Sequence, residues 1–120
     1  MIYVGTDIVK ISRIEKILTD KGQHFISHIF TTTEQSICNS KSSPHIHYGG
    51  KFAAKEAVKK AILSSNHKKN ILLNTIEIQN RDDGAPIVIL KESLVPKINI
   101  QISISHTDEY ATAVAILEVK

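Results

Sequence analysis

The 120-residue sequence contains no tryptophan, only three tyrosines and only three phenylalanines. A surface that stacks nucleic-acid bases interleaves aromatics with its basic residues. Here Phe25 and Phe30 instead fall beside Ile26 and Ile29, in an apolar cluster that reads as core. A basic nucleic-acid-binding module therefore ranks last among the functions the sequence allows, and no nucleic acid is expected as a partner. The single cysteine, Cys38, excludes an intrachain disulfide and points to a reducing, cytoplasmic setting. Its expected role is that of a small, half-buried hydrophobe. No apolar run approaches the ~20 residues of a membrane helix, so no membrane association is expected. The first five residues lack the basic and long apolar stretches of a signal peptide and read as a strand. No repeat, low-complexity tract or linker interrupts the chain, and its length fits one domain over residues 1–120.

Charge is unevenly placed. Residues 1–70 hold 11 Lys/Arg and 5 Asp/Glu, a balance of 11 − 5 = +6, whereas residues 71–120 hold 4 and 7, a balance of 4 − 7 = −3. A basic half suits an anionic partner, whether phosphate, nucleic acid or an acidic protein surface.

The apolar pattern changes period along the chain. Residues 2–5 read as a short strand with Asp7 just beyond it. Ser12 and Glu15 have capping-box spacing, and Ile14, Ile17 and Leu18 continue a helix toward Gly22. Thr31 and Glu34 repeat that spacing ahead of Cys38. Residues 40–47 are polar and contain Pro44, which predicts a loop. Residues 48–63 are rich in alanine and lysine and form the clearest helix, followed by a polar loop over 64–70. Ile76 and Ile78 then alternate with polar residues, residues 81–84 carry an Asp-Gly turn, and a return strand runs over 87–90 with Pro86 at its start. Ile98, Ile100, Ile102 and Ile104 alternate with polar residues, a turn follows at 106–109, and residues 110–119 give a last strand. Helices followed by antiparallel strands make the fold class α+β.

Few residues carry obvious chemistry. Asp7 lies between a strand and a helix, where it either bonds its own turn or aims at a metal. Glu56 sits mid-helix with Lys60 at i+4 and Phe52 at i−4 on one face. As a surface ion pair, Glu56 and Lys60 would contribute ~0.3–0.5 kcal/mol. Ala53, Ala54, Ala57 and Ala61 keep that helix slim, which lets another backbone or a ligand approach. Two carboxylates with lysines nearby suit a magnesium–diphosphate site, because Mg²⁺ takes one or two carboxylates and fills its octahedron with water and phosphate. Ser105, His106 and Thr107 form a strand-end turn that is either a plain hairpin or a phosphate contact. His24 and His28, and His45 and His47, have spacings that could contribute to zinc binding, but no further ligand completes a site, and all four are expected at the surface.

Four segments occur in order: Gly5-Thr6-Asp7-Ile8; Lys51-Phe52-Ala53-Ala54-Lys55-Glu56-Ala57 with Lys60; Asp83-Gly84-Ala85-Pro86; and Ser103-Ile104-Ser105-His106-Thr107. Together they resemble the holo-[acyl-carrier-protein] synthases, small bacterial 4′-phosphopantetheinyl transferases, over nearly the whole chain. The resemblance implies that Asp7 and Glu56 bind Mg²⁺ and that Lys60 meets the diphosphate of coenzyme A. It places Lys51, His106 and Thr107 near the coenzyme A nucleotide and turns Arg13 toward the acyl carrier protein. Two departures stand out. Lys51 replaces a frequent arginine, exchanging a forked contact for a point charge. Ser64, Ser65, Asn66 and His67 replace a Gly-Thr-Gly turn.

The implied reaction serves fatty acid biosynthesis. A serine of the carrier protein attacks the β-phosphate of coenzyme A, and 3′,5′-ADP leaves. Lys60 supports the charge that develops, and Glu56 is the candidate proton acceptor. A homotrimer with sites between subunits is expected, its interface using the second faces of the strands over 98–104 and 110–119. The competing enzyme reading is a metal-dependent phosphohydrolase using the same two carboxylates.

Overall fold

A computed structural model describes residues 1–66, 70–91 and 97–119. Strand β1 (Ile2–Lys10) leads into helices α1 (Ile11–Asp20), α2 (Gly22–Ile29), α3 (Thr32–Asn39) and α4 (Pro44–Ser65). A short 3₁₀ turn, Leu73–Thr75, precedes β2 (Ile76–Asn80), β3 (Pro86–Leu90), β4 (Ile98–His106) and β5 (Tyr110–Val119). The strands form a three-stranded antiparallel sheet in the order β1-β5-β4 and a separate β2–β3 hairpin.

The long helix α4 lies across the inner face of the main sheet, and small residues make that fit possible. Ala53, Ala54, Ala57 and Ala61 of α4 are fully buried, as are Ala111 and Ala115 of β5. Gly5 of β1 comes closest: a β-carbon there would lie 1.9 Å from the Ala57 carbonyl oxygen and 2.7 Å from the Ala61 nitrogen. Larger side chains close the core around this seam, with Ile62, Ile76, Ile78 and Leu117 almost wholly buried. Removing the bulk of one of them would cost about 2–5 kcal/mol.

The α+β order stands as expected, but several boundaries move. Strand β1 runs on to Lys10 because β5 pairs with it throughout, so Asp7 sits inside a strand opposite Ala113. Helix α1 starts directly at Ile11 with Lys10 as its cap and no side-chain cap bond, leaving Ser12 and Glu15 inside the helix. The second capping box is real. The Thr31 hydroxyl accepts the Glu34 N–H, and the Glu34 carboxylate accepts the Thr31 N–H. Helix α4 begins four residues early, at Pro44, because proline fits the first turn, where an N–H would have no intrahelical acceptor. It also takes in Ser64 and Ser65 and stops at Asn66, whose φ of 60° gives a left-handed cap. The rest of the loop predicted there, residues 67–69, lies outside the described residues.

Candidate active site

The close crossing of β1 over α4 brings the first group of candidates together. Gly5 faces the helix, and Asp7, two residues on, shares its face of the strand. The Lys60 ammonium donates to Asp7 Oδ1 at 3.1 Å and to the Thr6 carbonyl at 2.9 Å. Lys60 thus reaches across to β1, and the expected surface pair with Glu56 is replaced by this longer-range one. The Thr112 hydroxyl donates to the Asp7 carbonyl at 2.9 Å, tying the carboxylate's backbone to β5. Asp7's side chain is 17% exposed and that of Lys60 is 53% exposed. Glu56, half-buried, precedes Lys60 by one helical turn on the same side of α4. No group of three histidine, cysteine or carboxylate side chains that could hold a metal occurs among the described residues. Two carboxylates without histidine or cysteine are an all-oxygen donor set, the kind that Mg²⁺ takes together with water and phosphate.

The second group lines a cleft of about 620 Å³ between α3, α4, the β2–β3 hairpin and the end of β4. Lys41 and Lys51 give it a cationic lining, with His47 and His106 beside them, while Ile78, Gly84, Pro86 and Ile104 supply apolar walls. Positive φ at Gly84, 91°, lets the hairpin turn tightly, with the Gly84 N–H bonded to Arg81 and the Arg81 N–H bonded to Ala85. His47 loses proton affinity through burial, reinforced by the nearby positive charges of Lys41, His106 and Lys51. Burial likewise lowers the pKa of Lys51, whose ammonium donates to the Ile78 carbonyl at 3.0 Å. His47 is exposed, as expected, and stands at the mouth of this cleft on the first turns of α4.

The remaining candidates are spread out. Exposed His106 approaches the Thr107 carbonyl through Nδ1 at 3.3 Å. The Thr107 hydroxyl accepts the Glu109 and Tyr110 N–H groups, each at 3.1 Å, and so shapes the β4–β5 turn. Arg13 is exposed on α1. Asp7, Glu56, Lys60 and Thr107 do not line the cleft that holds Lys51 and His106.

Sequence reasoning missed one feature altogether. Lys55, inside the Lys-Glu-Ala segment, is fully buried and ion-paired with fully buried Glu34. Its ammonium also donates to the Ile76 carbonyl at 2.6 Å, while Glu34 Oε2 accepts the Ile78 N–H at 2.7 Å. Burial pulls the Lys55 pKa down, against the opposing pull of Glu34. The one available signal was the i, i+4 spacing of Lys51 and Lys55, which puts both on the same side of α4.

Residues 3–115 match the model of the 4′-phosphopantetheinyl transferase superfamily. The chain belongs to that superfamily. Among its relatives, the holo-[acyl-carrier-protein] synthase of Chlamydia muridarum is 43% identical over 122 aligned residues, covering 99% of this chain and 96% of the other. A solved complex of the Chronobacterium ammoniagenes synthase with coenzyme A superimposes with a TM-score of 0.87 at 26% identity, covering 100% and 98% of the two chains. The Bacillus anthracis synthase, solved with coenzyme A (3′,5′-ADP), gives a TM-score of 0.82 at 32% identity over 98% and 96%. The 4′-phosphopantetheinyl transferase fold thus accounts for both the helices-then-strands order and the motif order of this member. These matches give no support to the phosphohydrolase or nucleic-acid readings. Among the described residues, no helix is long and apolar enough to cross a membrane.

Proposed function

We infer that this protein transfers the 4′-phosphopantetheine group of coenzyme A to a serine hydroxyl of an apo-acyl carrier protein and releases 3′,5′-ADP, as a single transferase domain working in the cytoplasm for fatty acid biosynthesis. The observation that carries the chemistry is the 3.1 Å contact between Lys60 and Asp7. It sets a strand carboxylate and an exposed ammonium at one spot, with Glu56 one turn away on the same side of the helix.

In the reaction, the serine oxygen forms a bond to the β-phosphorus. The bond from that phosphorus to the oxygen bridging the two phosphates breaks, and the bridging oxygen leaves with 3′,5′-ADP. Asp7 and Glu56 would hold Mg²⁺, which when bound supplies charge neutralisation of the diphosphate. Lys60 adds a positive charge toward the departing phosphate, and Asp7 holds that ammonium in place. The Glu56 carboxylate accepts the serine proton. The cleft takes the nucleotide end, with Lys41, Lys51 and His106 facing its phosphate and Gly84 and Pro86 facing its base. Arg13, exposed on α1, faces the acidic carrier protein.

Assembly as a homotrimer completes the site in this proposal. Support comes from the outer face of the main sheet, where Ile2, Val4, Ile8 and Ile116 are 62%, 53%, 68% and 44% exposed. An apolar patch on a small protein marks an interface. The patch lies on β1 and β5, whereas the β4 face expected to contribute carries Asn99, Gln101, Ser103 and Ser105, because its isoleucines turn inward toward the core. Subunit contact would also bring one chain's cleft to another chain's Asp7–Lys60 cluster. Light scattering at micromolar concentration tests the assembly; a fully active monomer would sink the shared site.

The transfer itself is tested by intact-mass measurement of apo-carrier protein incubated with coenzyme A, Mg²⁺ and this protein. A gain of one phosphopantetheine group is expected, and an unchanged carrier mass with hydrolysed coenzyme A would overturn the reading.

A further inference from the structure

One wall of the cleft belongs neither to the main sheet nor to α4. The β2–β3 hairpin supplies Ile78, Gln79, Asn80, Gly84 and Pro86 and is hydrogen-bonded to no strand of the three-stranded sheet. A two-stranded hairpin is marginal in water by itself. Its β2 edge must therefore be held by something other than a third strand, and side chains hold it.

Backbone groups of alternate residues in an antiparallel strand point to the same edge. On the edge away from β3, the Ile76 carbonyl accepts from Lys55, the Ile78 carbonyl accepts from Lys51, and the Ile78 N–H donates to Glu34. The Ile76 N–H is bonded to Leu73 in the turn before the strand. A second fastening lies next along β2, where the Thr31 hydroxyl donates to Glu77 Oε1 at 2.6 Å. Thr31 also sends its N–H to Glu34 Oε1, so the start of α3, the pair and the hairpin form one bonded unit.

We propose that the buried Glu34–Lys55 pair, with Thr31, acts as a surrogate edge strand: these are positioning residues that set the hairpin wall at the separation from α4 that the coenzyme A nucleotide requires. The inference rests on the reading of the cleft as the coenzyme A site. None of the three lines the cleft, so their influence passes through the hairpin, and it falls on coenzyme A while leaving the carboxylate cluster and Arg13 alone.

The test compares wild type, Thr31→Val, Thr31→Ser and the double variant Glu34→Gln with Lys55→Met. Replacing both members of the pair avoids stranding one buried charge. Steady-state transfer is measured against coenzyme A and carrier protein separately, and amide hydrogen exchange is followed across residues 76–90. Thr31→Val and the double variant are expected to raise KM for coenzyme A by about tenfold, a 1.4 kcal/mol effect, with kcat and the carrier KM little changed. Their hairpin amides should exchange faster while those of α4 stay protected, and Thr31→Ser should behave as wild type. Unchanged coenzyme A KM in both variants, or equal changes in every kinetic constant, would overturn the proposal. A wild-type protein that does not use coenzyme A would instead overturn the reading of the cleft, and the exchange data would still decide whether the pair holds the hairpin.

Discussion

Helix α4 carries two i, i+4 charged pairs that meet water in opposite ways. Lys51 and Lys55 point toward α3 and the hairpin, where both are buried and both ammonium groups bond backbone carbonyls. Glu56 and Lys60 point toward β1 and remain partly open to solvent. Lys60 lies five positions after Lys55, and the residue type is the same. Neighbours make the difference: Lys55 meets a buried carboxylate that has already accepted two backbone N–H groups, whereas Lys60 meets a carboxylate at the edge of a sheet. A buried charge without its partner is far more costly than an exposed one. Lys55 is therefore tied to folding, whereas Lys60 is held by a pair that solvent still reaches.

The largest effect that would break this comparison comes from Lys55→Met set beside Lys60→Met. Lys55→Met leaves Glu34 charged and buried, and should destabilise the protein by about 3–5 kcal/mol. Lys60→Met removes an exposed partner, and should cost at most about 1 kcal/mol while removing most transfer activity. Urea unfolding and the mass-based transfer assay measure both. Equal losses of stability would mean that the two sides of α4 are not distinct.

Next in size, Asp7→Asn and Glu56→Gln keep side-chain shape and remove a charged oxygen. Each should lower transfer by roughly 10²-fold or more with the urea midpoint nearly unchanged. Chelation of Mg²⁺ should mimic these variants in wild type and add little in them. Near-normal activity of Glu56→Gln at low Mg²⁺ would remove Glu56 from both of its assigned roles.

A smaller effect is expected at Arg13, which is exposed on α1. Arg13→Glu should raise KM for the acidic carrier protein by roughly tenfold, with the coenzyme A KM unchanged. Added salt should narrow the gap between variant and wild type. Equal effects on both substrates would place Arg13 in the fold or in the cleft.

The two sides of α4 were not equally legible in the sequence. Asp7, Glu56 and Lys60 could be singled out because motif order and helical spacing are local properties, and the slim alanine face of α4 announced a close approach. What crosses that face was not legible: the fit depends on Gly5 meeting Ala57 and Ala61, which lie more than fifty residues away. The length of β1 was missed for a related reason, since Thr6 and Asp7 resemble a strand end until β5 pairs with them. On the inner side almost nothing was visible. The Thr31–Glu34 capping box could be read from its spacing, but spacing does not reveal that Glu34 also accepts from Ile78 and Lys55, both far along the chain. The start of α4 was placed too late because Pro44 reads as a loop residue, although it also suits the first turn of a helix.

The smallest expected effect sharpens the comparison from the inner side. Glu77 is nearly fully buried, yet its pKa lies below the usual 4.5, chiefly because the Thr31 hydroxyl donates to it. Burial pushes the other way, and the bonds from Gln79 and Lys91 help offset it. The sign of the pH dependence follows. With the folded value depressed, the unfolded chain binds the proton more readily, so stability falls as pH falls. The contribution of Glu77 is fully present above about pH 4.5 and is lost as pH drops through the lower, folded value. Glu77→Gln should weaken the protein slightly at neutral pH and flatten the acid limb of its stability profile. Thr31→Val should do much the same, because it removes the donor responsible for the largest part of the shift. Urea midpoints taken from about pH 3 to 7 measure the slope. If Glu77→Gln leaves the acid limb as steep as in wild type, the inner network owes little to the charge of Glu77.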